Sequence, residues 1–379
     1  MNFIKHTCLL SILLFAVGCG DKKTRVSKNT ASRFNFEAVY DYWEVVDSLK
    51  NSQYPSDVLW DKLLNHQGYK VIESANGTTP EMIKERLAIC FYPENKKTKD
   101  SIFRYGDVFQ KSIYLHLEET DRSREDLKKH INWMRDQKVY EAMIDKANEF
   151  LPEKYKNYKV PIINIILFGE NAHANQSGVC MDLLLSYFID KIDKGGTLGH
   201  ELHHYVLDSY KINSDKEKNK TLDKNKELIQ KIVYQSQKEG IADLIDKDKG
   251  YLDLKVKTTS PEYLGFIRSE FAKGKIRTSQ LNEKLITIAQ NKNKLYTWDS
   301  VSKALPFYGH VVGFYMAKTI NDNGYHKELI NTINRPQCFF ELYNKVVQEK
   351  QLDATLFDEV VIQLINESSA QENTVFCYK

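Results

Sequence analysis

Long apolar runs are scarce in this 379-residue sequence. The longest near the N-terminus covers residues 9–17, shorter than the roughly 20 residues that a spanning helix needs. An excess of one charge is missing too. Lys and Arg number 54 against 51 Asp and Glu, for a formal net charge of +3. The two signs are interspersed, with no basic stripe and no nucleic-acid motif, so nucleic-acid binding is not expected. No internal repeat is visible, which argues against a solenoid. Cysteine is sparse. Beyond Cys19 the chain has Cys90, Cys180, Cys338 and Cys377, and none stands at metal-ligand spacing. Four such cysteines allow three disulfide pairings, and buried free thiols suit a core of this size equally well.

Against this background one short stretch stands out: Gly199-His200-Glu201-Leu202-His203-His204-Tyr205. It contains His-Glu-x-x-His in a segment that reads as helix. Residues four apart on a helix lie one turn above each other on the same face. His200 and His204 can therefore direct two imidazole nitrogens at one metal ion. Glu201 is placed to handle the proton of a water activated there. With only ten histidines in the chain, accidental matches are expected roughly once or twice per hundred such sequences. Leu198, Leu202, Tyr205 and Val206 give the helix an apolar side, so its histidines are expected to be partly buried. His203 is offset from His204 by about 100° and should not reach the same ion; a place on the helix surface or behind the ligands is expected for it.

A two-histidine site needs a third ligand and an open position. Glu239-Gly240-Ile241-Ala242-Asp243, within a helical pattern over residues 226–245, offers one. Glu239 is the candidate ligand. Gly240 has no side chain, so the helix of Glu239 could approach the His200 helix closely there. Asp243, one turn on, could accept the second ring N–H of a liganding His or take Glu239's place as ligand.

His-Glu-x-x-His with a distant Glu resembles the gluzincin metallopeptidases. Together with the Glu-Gly-x-Ala segment, residues 57–60, 68–69 and 308–317, it is similar to a family of zinc-dependent peptidases found as bacterial envelope lipoproteins. The resemblance implies an α+β, predominantly helical fold. It also implies a zincin-like catalytic core with a small sheet, bound Zn²⁺, and a peptide or protein substrate. The metal ligands would be His200, His204 and Glu239, with Glu201 as general base. A donor for the developing oxyanion is also needed. Tyr308, His310 and Tyr315 are candidates because they share one helical pattern over residues 307–320, and Tyr308 and His310 are preferred. A silent binding lipoprotein on the same scaffold, or a hydrolase of non-peptide amides or esters, would use the same residue set. An accidental motif in a structural lipoprotein is a further reading.

The N-terminus reads as a secretion signal over residues 1–18, with Lys5 and His6 preceding the apolar run. Ala16-Val17-Gly18-Cys19 resembles a lipobox. Lipidation of Cys19 would anchor the protein to a membrane in the bacterial cell envelope, periplasmic or surface-exposed, with its body in water. Residues 19–33 are polar and lysine-rich, a tether.

Residues 34–151 carry helical spacing, as in Val39, Tyr42, Trp43 and Val46, and are expected to form an N-terminal helical subdomain. Residues 152–379 would hold the zincin-like domain. Within it, residues 160–168 read as a buried strand, 171–178 as a loop, and 179–183 as a strand running into a helix. The strand before the metal helix is expected at a sheet edge, where an extended peptide could pair. Gly195 and Gly196 mark the turn into that helix, with Thr197 as a possible N-cap. Residues 213–225 read as a charged excursion.

Overall fold

Apolar spacing builds the N-terminal half. The computed structural model describes residues 33–169, 171–215, 223–369 and Cys377, with side chains left aside for 211–215. The proposed signal, Cys19 and tether residues up to 32 lie outside the described residues. Helix α1 (Glu37–Lys50) buries Val39, Tyr42, Trp43 and Val46, the four positions spaced by three and four. Helices α2 (Asp57–Leu64) and α3 (Gln67–Asn76) follow, and Gly77 ends α3 in the left-handed region at φ +74°. Pro80 opens α4 (Pro80–Phe91), with Thr79 accepting from the Met82 N–H. Then come α5 (Lys96–Tyr105), α6 (Val108–Arg122), α7 (Arg124–Asp136) and α8 (Val139–Glu149). Ile131 and Met134 are buried on α7, Tyr140 and Met143 on α8. The break between these two helices is Lys138 at φ +54°.

The sheet is small and mixed: β1 (Phe34–Asn35), β2 (Ile163–Ile166), β3 (Ala172–Asn175) and β4 (Gly178–Asp182), in the order β1-β2-β4-β3. β1 and β4 run parallel to β2, and β3 runs antiparallel to β4. Two expectations change here. Residues 171–178 are not a plain loop but an edge strand and a tight turn, in which the Asn175 side chain accepts from the Ser177 N–H. The strand before the metal helix, β4, is consequently an inner strand, and the edge is β3. Little in Ala-His-Ala-Asn favours a strand; cross-strand pairing supplies what propensity does not.

Asp182 ends β4 and caps α9 (Leu183–Ile189), accepting from the N–H groups of Leu184 and Leu185. There follow α10 (Gly196–Asp215), α11 (Lys224–Asp246), α12 (Pro261–Phe271), α13 (Gly274–Gln290), α14 (Trp298–Ser302), α15 (His310–Asp322), α16 (His326–Asn331), α17 (Pro336–Glu349) and α18 (Glu359–Ser369). The fold is α+β and predominantly helical. The described residues from Arg33 onward form one compact unit. Within it α10 lies among α8, α11 and the β3 edge, and α11 packs along α15. Cys338 and Cys377 form a disulfide, while Cys90 and Cys180 are buried free thiols.

Candidate metal centre

Helix α10 positions the motif. Gly195 turns the chain at φ +70°, and the Asp190 carboxylate accepts its N–H at 3.0 Å. The helix begins at Gly196, so Thr197 sits inside the first turn and is not the cap. Leu198, Leu202 and Val206 face the core. A Cβ on Gly199 would come within 3.1–3.2 Å of Lys146, Ile245 and the Met143 carbonyl. The absence of that Cβ lets α10 settle closely between α8 and α11. His200, Glu201 and His204 are all buried. The two imidazoles meet edge to face, with ring centroids 4.6 Å apart.

Helix α11 brings Glu239 to them. Its Oε2 lies 2.9 Å from His204 Nε2 and 3.8 Å from His200 Nε2. One ligand atom from each of the three residues lies within 4.8 Å of the others. Tetrahedral zinc with bonds of about 2.0–2.1 Å sets neighbouring ligand atoms about 3.3 Å apart. The three atoms are therefore spaced to hold such an ion after small side-chain adjustments.

Behind this set stands a ring of acids. His200 Nδ1 is 3.1 Å from Asp246 Oδ1 and 3.6 Å from Asp243 Oδ1. Asp243 makes its closest imidazole contacts with His310, whose Nδ1 is 2.9 and 3.0 Å from the two carboxylate oxygens. Asp246 thus takes the place behind a candidate ligand that the Glu239 segment suggested for Asp243. It was legible as well: residues 239, 243, 246 and 247 form the i, i+4, i+7, i+8 stripe of one helix face. Lys247, also on that stripe, bonds both Asp243 and Asp246. His204 Nδ1, by contrast, is buried without a hydrogen-bond partner.

His310 Nε2 lies 3.4 Å from Glu239 Oε2. His310 belongs to neither of the two candidate metal sets found among the described residues, His200/His204/Glu239 and His200/Asp243/Asp246. It reaches the cluster because α11 and α15 nearly touch. A Cβ on Gly240 would stand 2.3 Å from the Gly313 backbone, and one on Gly313 would stand 2.1 Å from the Ser236 carbonyl oxygen. The close approach anticipated at Gly240 exists, but with α15 rather than with α10.

Tyr308 and His310 do not share a helix. Phe307 and Tyr308 take left-handed φ of +53° and +56°, and α15 starts only at His310. Tyr308 is 64% exposed and stacks on Trp298, outside the cluster. Tyr315 packs against Tyr343. His203 is not a surface residue: it is fully buried, and its Nε2–H donates to the Phe150 carbonyl at 3.2 Å.

The electrostatics match a cation site. Burial pushes the Glu201 carboxyl up, and Glu239 adds to that; His200 opposes them, leaving it at about 7. Burial and Lys247 work against a charged His200, yet Asp246 and Glu239 outweigh them and hold it at about 10. Burial also works against a charged His310, and Asp243 and Glu239 outweigh it. Burial dominates at His204, which is held well below the usual histidine value. The buried carboxylates thus favour positive charge at His200 and His310.

Residues 60–352 match the family model described as "Putative zinc dependent peptidase (DUF5700)". No curated protein and no solved structure matches the chain.

Proposed function

The chain belongs to this zinc dependent peptidase family, and from that premise we propose that it hydrolyses peptide bonds, with zinc held by His200, His204 and Glu239 and with Glu201 as general base. The observation that carries the proposal is the convergence of His200 Nε2 and His204 Nε2 on Glu239 Oε2 beside the buried Glu201. Zinc, when bound, supplies Lewis acidity toward a carbonyl and makes water acidic near neutral pH. Glu201, held near pH 7, takes the proton of the attacking water and passes it to the leaving amine. His310 is steadied by Asp243 and donates from Nε2 to the oxygen that becomes negative. Tyr308 has no step here, given its exposed place on Trp298.

We propose that a peptide substrate pairs with β3. The Asp182 N–H donates to the Asn171 carbonyl, so the alternation of an antiparallel ladder turns the main-chain groups of Ala174 and the Ala172 carbonyl away from β4, while the Ala172 N–H donates to Asn171 Oδ1. An extended peptide would add there as a further strand. The reading extends to a zincin-like core and to a lipid on Cys19 in the bacterial envelope. Its support is the lipobox-like 16–19 segment and the Cys338–Cys377 disulfide, which suits an oxidising compartment.

Metal analysis of the purified protein and a peptide-library assay with and without chelator test the proposal. One zinc per chain and chelator-sensitive cleavage are expected. Glu201→Gln should keep the zinc and lose about 10²–10⁴-fold in rate. Zinc without any cleavage would point to a binding protein, and cleavage confined to esters or non-peptide amides to a different hydrolase. Absence of stoichiometric zinc would overturn the proposal.

A further inference from the structure

Resting on that reading, we infer that Lys247 is a positioning residue for the metal centre: a buried cation that clamps Asp246 behind His200 and Asp243 behind His310. Lys247 stands at the C-cap of α11, one residue past Asp246. Its Nζ lies 2.9 and 3.1 Å from the two oxygens of Asp246 and 3.2 Å from Asp243 Oδ1. Its side chain is only 12% exposed and lies over the ring of Tyr251, 5.3 Å from the centroid. One ammonium thus touches both carboxylates that back the imidazoles, Asp246 at 3.1 Å from His200 and Asp243 at 2.9 Å from His310. Groups behind a metal-bound histidine set its tautomer and orientation; Lys247 sets theirs.

Charge balance points the same way. Glu201, Glu239, Asp243 and Asp246 bring four carboxyl groups to one largely buried site. A divalent ion would supply two positive charges there, and Lys247 adds a third on the side of Asp243 and Asp246. Removing Lys247 takes away the cation that Asp246 and Asp243 share and leaves them to their imidazole contacts, freer to rotate. The plain alternative is a cation that steadies the end of α11 through the helix dipole. The two roles differ in what they move. A purely structural lysine changes stability alike with and without metal. A nearby positive charge that merely repels the ion would make zinc bind more tightly once removed. A clamp makes zinc bind more weakly.

The experiment compares wild type, Lys247→Met and Lys247→Arg for zinc affinity by competition with a chelator of known affinity. Thermal unfolding of the zinc-free proteins, kcat and KM are read alongside. Lys247→Met should bind zinc about 10–100-fold more weakly and lose kcat with KM little changed. Lys247→Arg should restore most of both, because a guanidinium can bridge two carboxylates. If Lys247→Met does not fold, Lys247→Gln is measured in its place with the same expectation. Zinc affinity equal to or tighter than wild type in a folded variant overturns the clamp while the zinc reading stands. A wild-type protein that takes up no zinc overturns the zinc reading itself.

Discussion

His203 and His204 are neighbours with opposite surroundings. His204 Nε2 faces Glu239, whereas His203 Nε2–H is spent on the Phe150 carbonyl. His204→Ala should lose stoichiometric zinc. His203→Ala should keep it but cost about 2 kcal/mol, since a buried carbonyl loses its donor. Metal content and denaturant midpoints of the two variants check this; zinc loss in both would make His203 part of the ligand set. Asp190 carries the clearest pH effect away from the candidate metal centre. Burial lifts its carboxyl from 3.8 to about 6, against hydrogen bonds from Ser186 and Gly195. A raised acid binds its proton more tightly when folded. Its contribution is therefore whole below about pH 4 and is lost as pH climbs through about 6. Relative to Asp190→Asn, wild type should lose up to about 3 kcal/mol between pH 4 and 7, measured by denaturant unfolding across that range. A constant difference would show that Asp190 does not titrate there.

At the scale of elements, the crossing of α11 and α15 joins two functions. The proposed zinc ligands come from α10 and α11, while His310 arrives on α15. Gly240→Ala would drive a methyl to 2.3 Å from the Gly313 backbone and cost about 3 kcal/mol. It should reduce hydrolysis more than zinc affinity, because it displaces His310 and leaves α10 against α11. Zinc titration beside kcat decides the matter; equal losses would mean that the crossing holds the ligands as well. Helices α10 and α11 were legible because their apolar period and motif spacing are local. β3 was not, because Ala172–Asn175 becomes a strand only by pairing with β4. Nor was the start of α15: residue type does not announce the left-handed turns at Phe307 and Tyr308, and the periodicity runs straight through them.

For the whole molecule, the Cys338–Cys377 bridge closes a loop of 39 residues between α17 and the end of the chain. By loop entropy it stabilises by about 4 kcal/mol. Replacing both cysteines with serine should lower the unfolding midpoint accordingly while zinc content stays unchanged, as calorimetry and metal analysis can verify. Unchanged stability would mean that the bridge does not form in the protein as produced. Four cysteines alone left three pairings or free thiols open; the folded chain forms one bridge and keeps Cys90 and Cys180 as buried free thiols. The same division runs through the metal centre. That His200 and His204 share a face follows from the helix period, and so does the stripe from Glu239 to Lys247. That Glu239 meets His204 across 35 residues, and that His310 reaches Asp243 across 67, does not. Those meetings depend on α11 folding back along α10, and on two glycines that let α15 lie almost on the backbone of α11. Such contacts between distant segments carry no period of their own and exist only once the helices have packed.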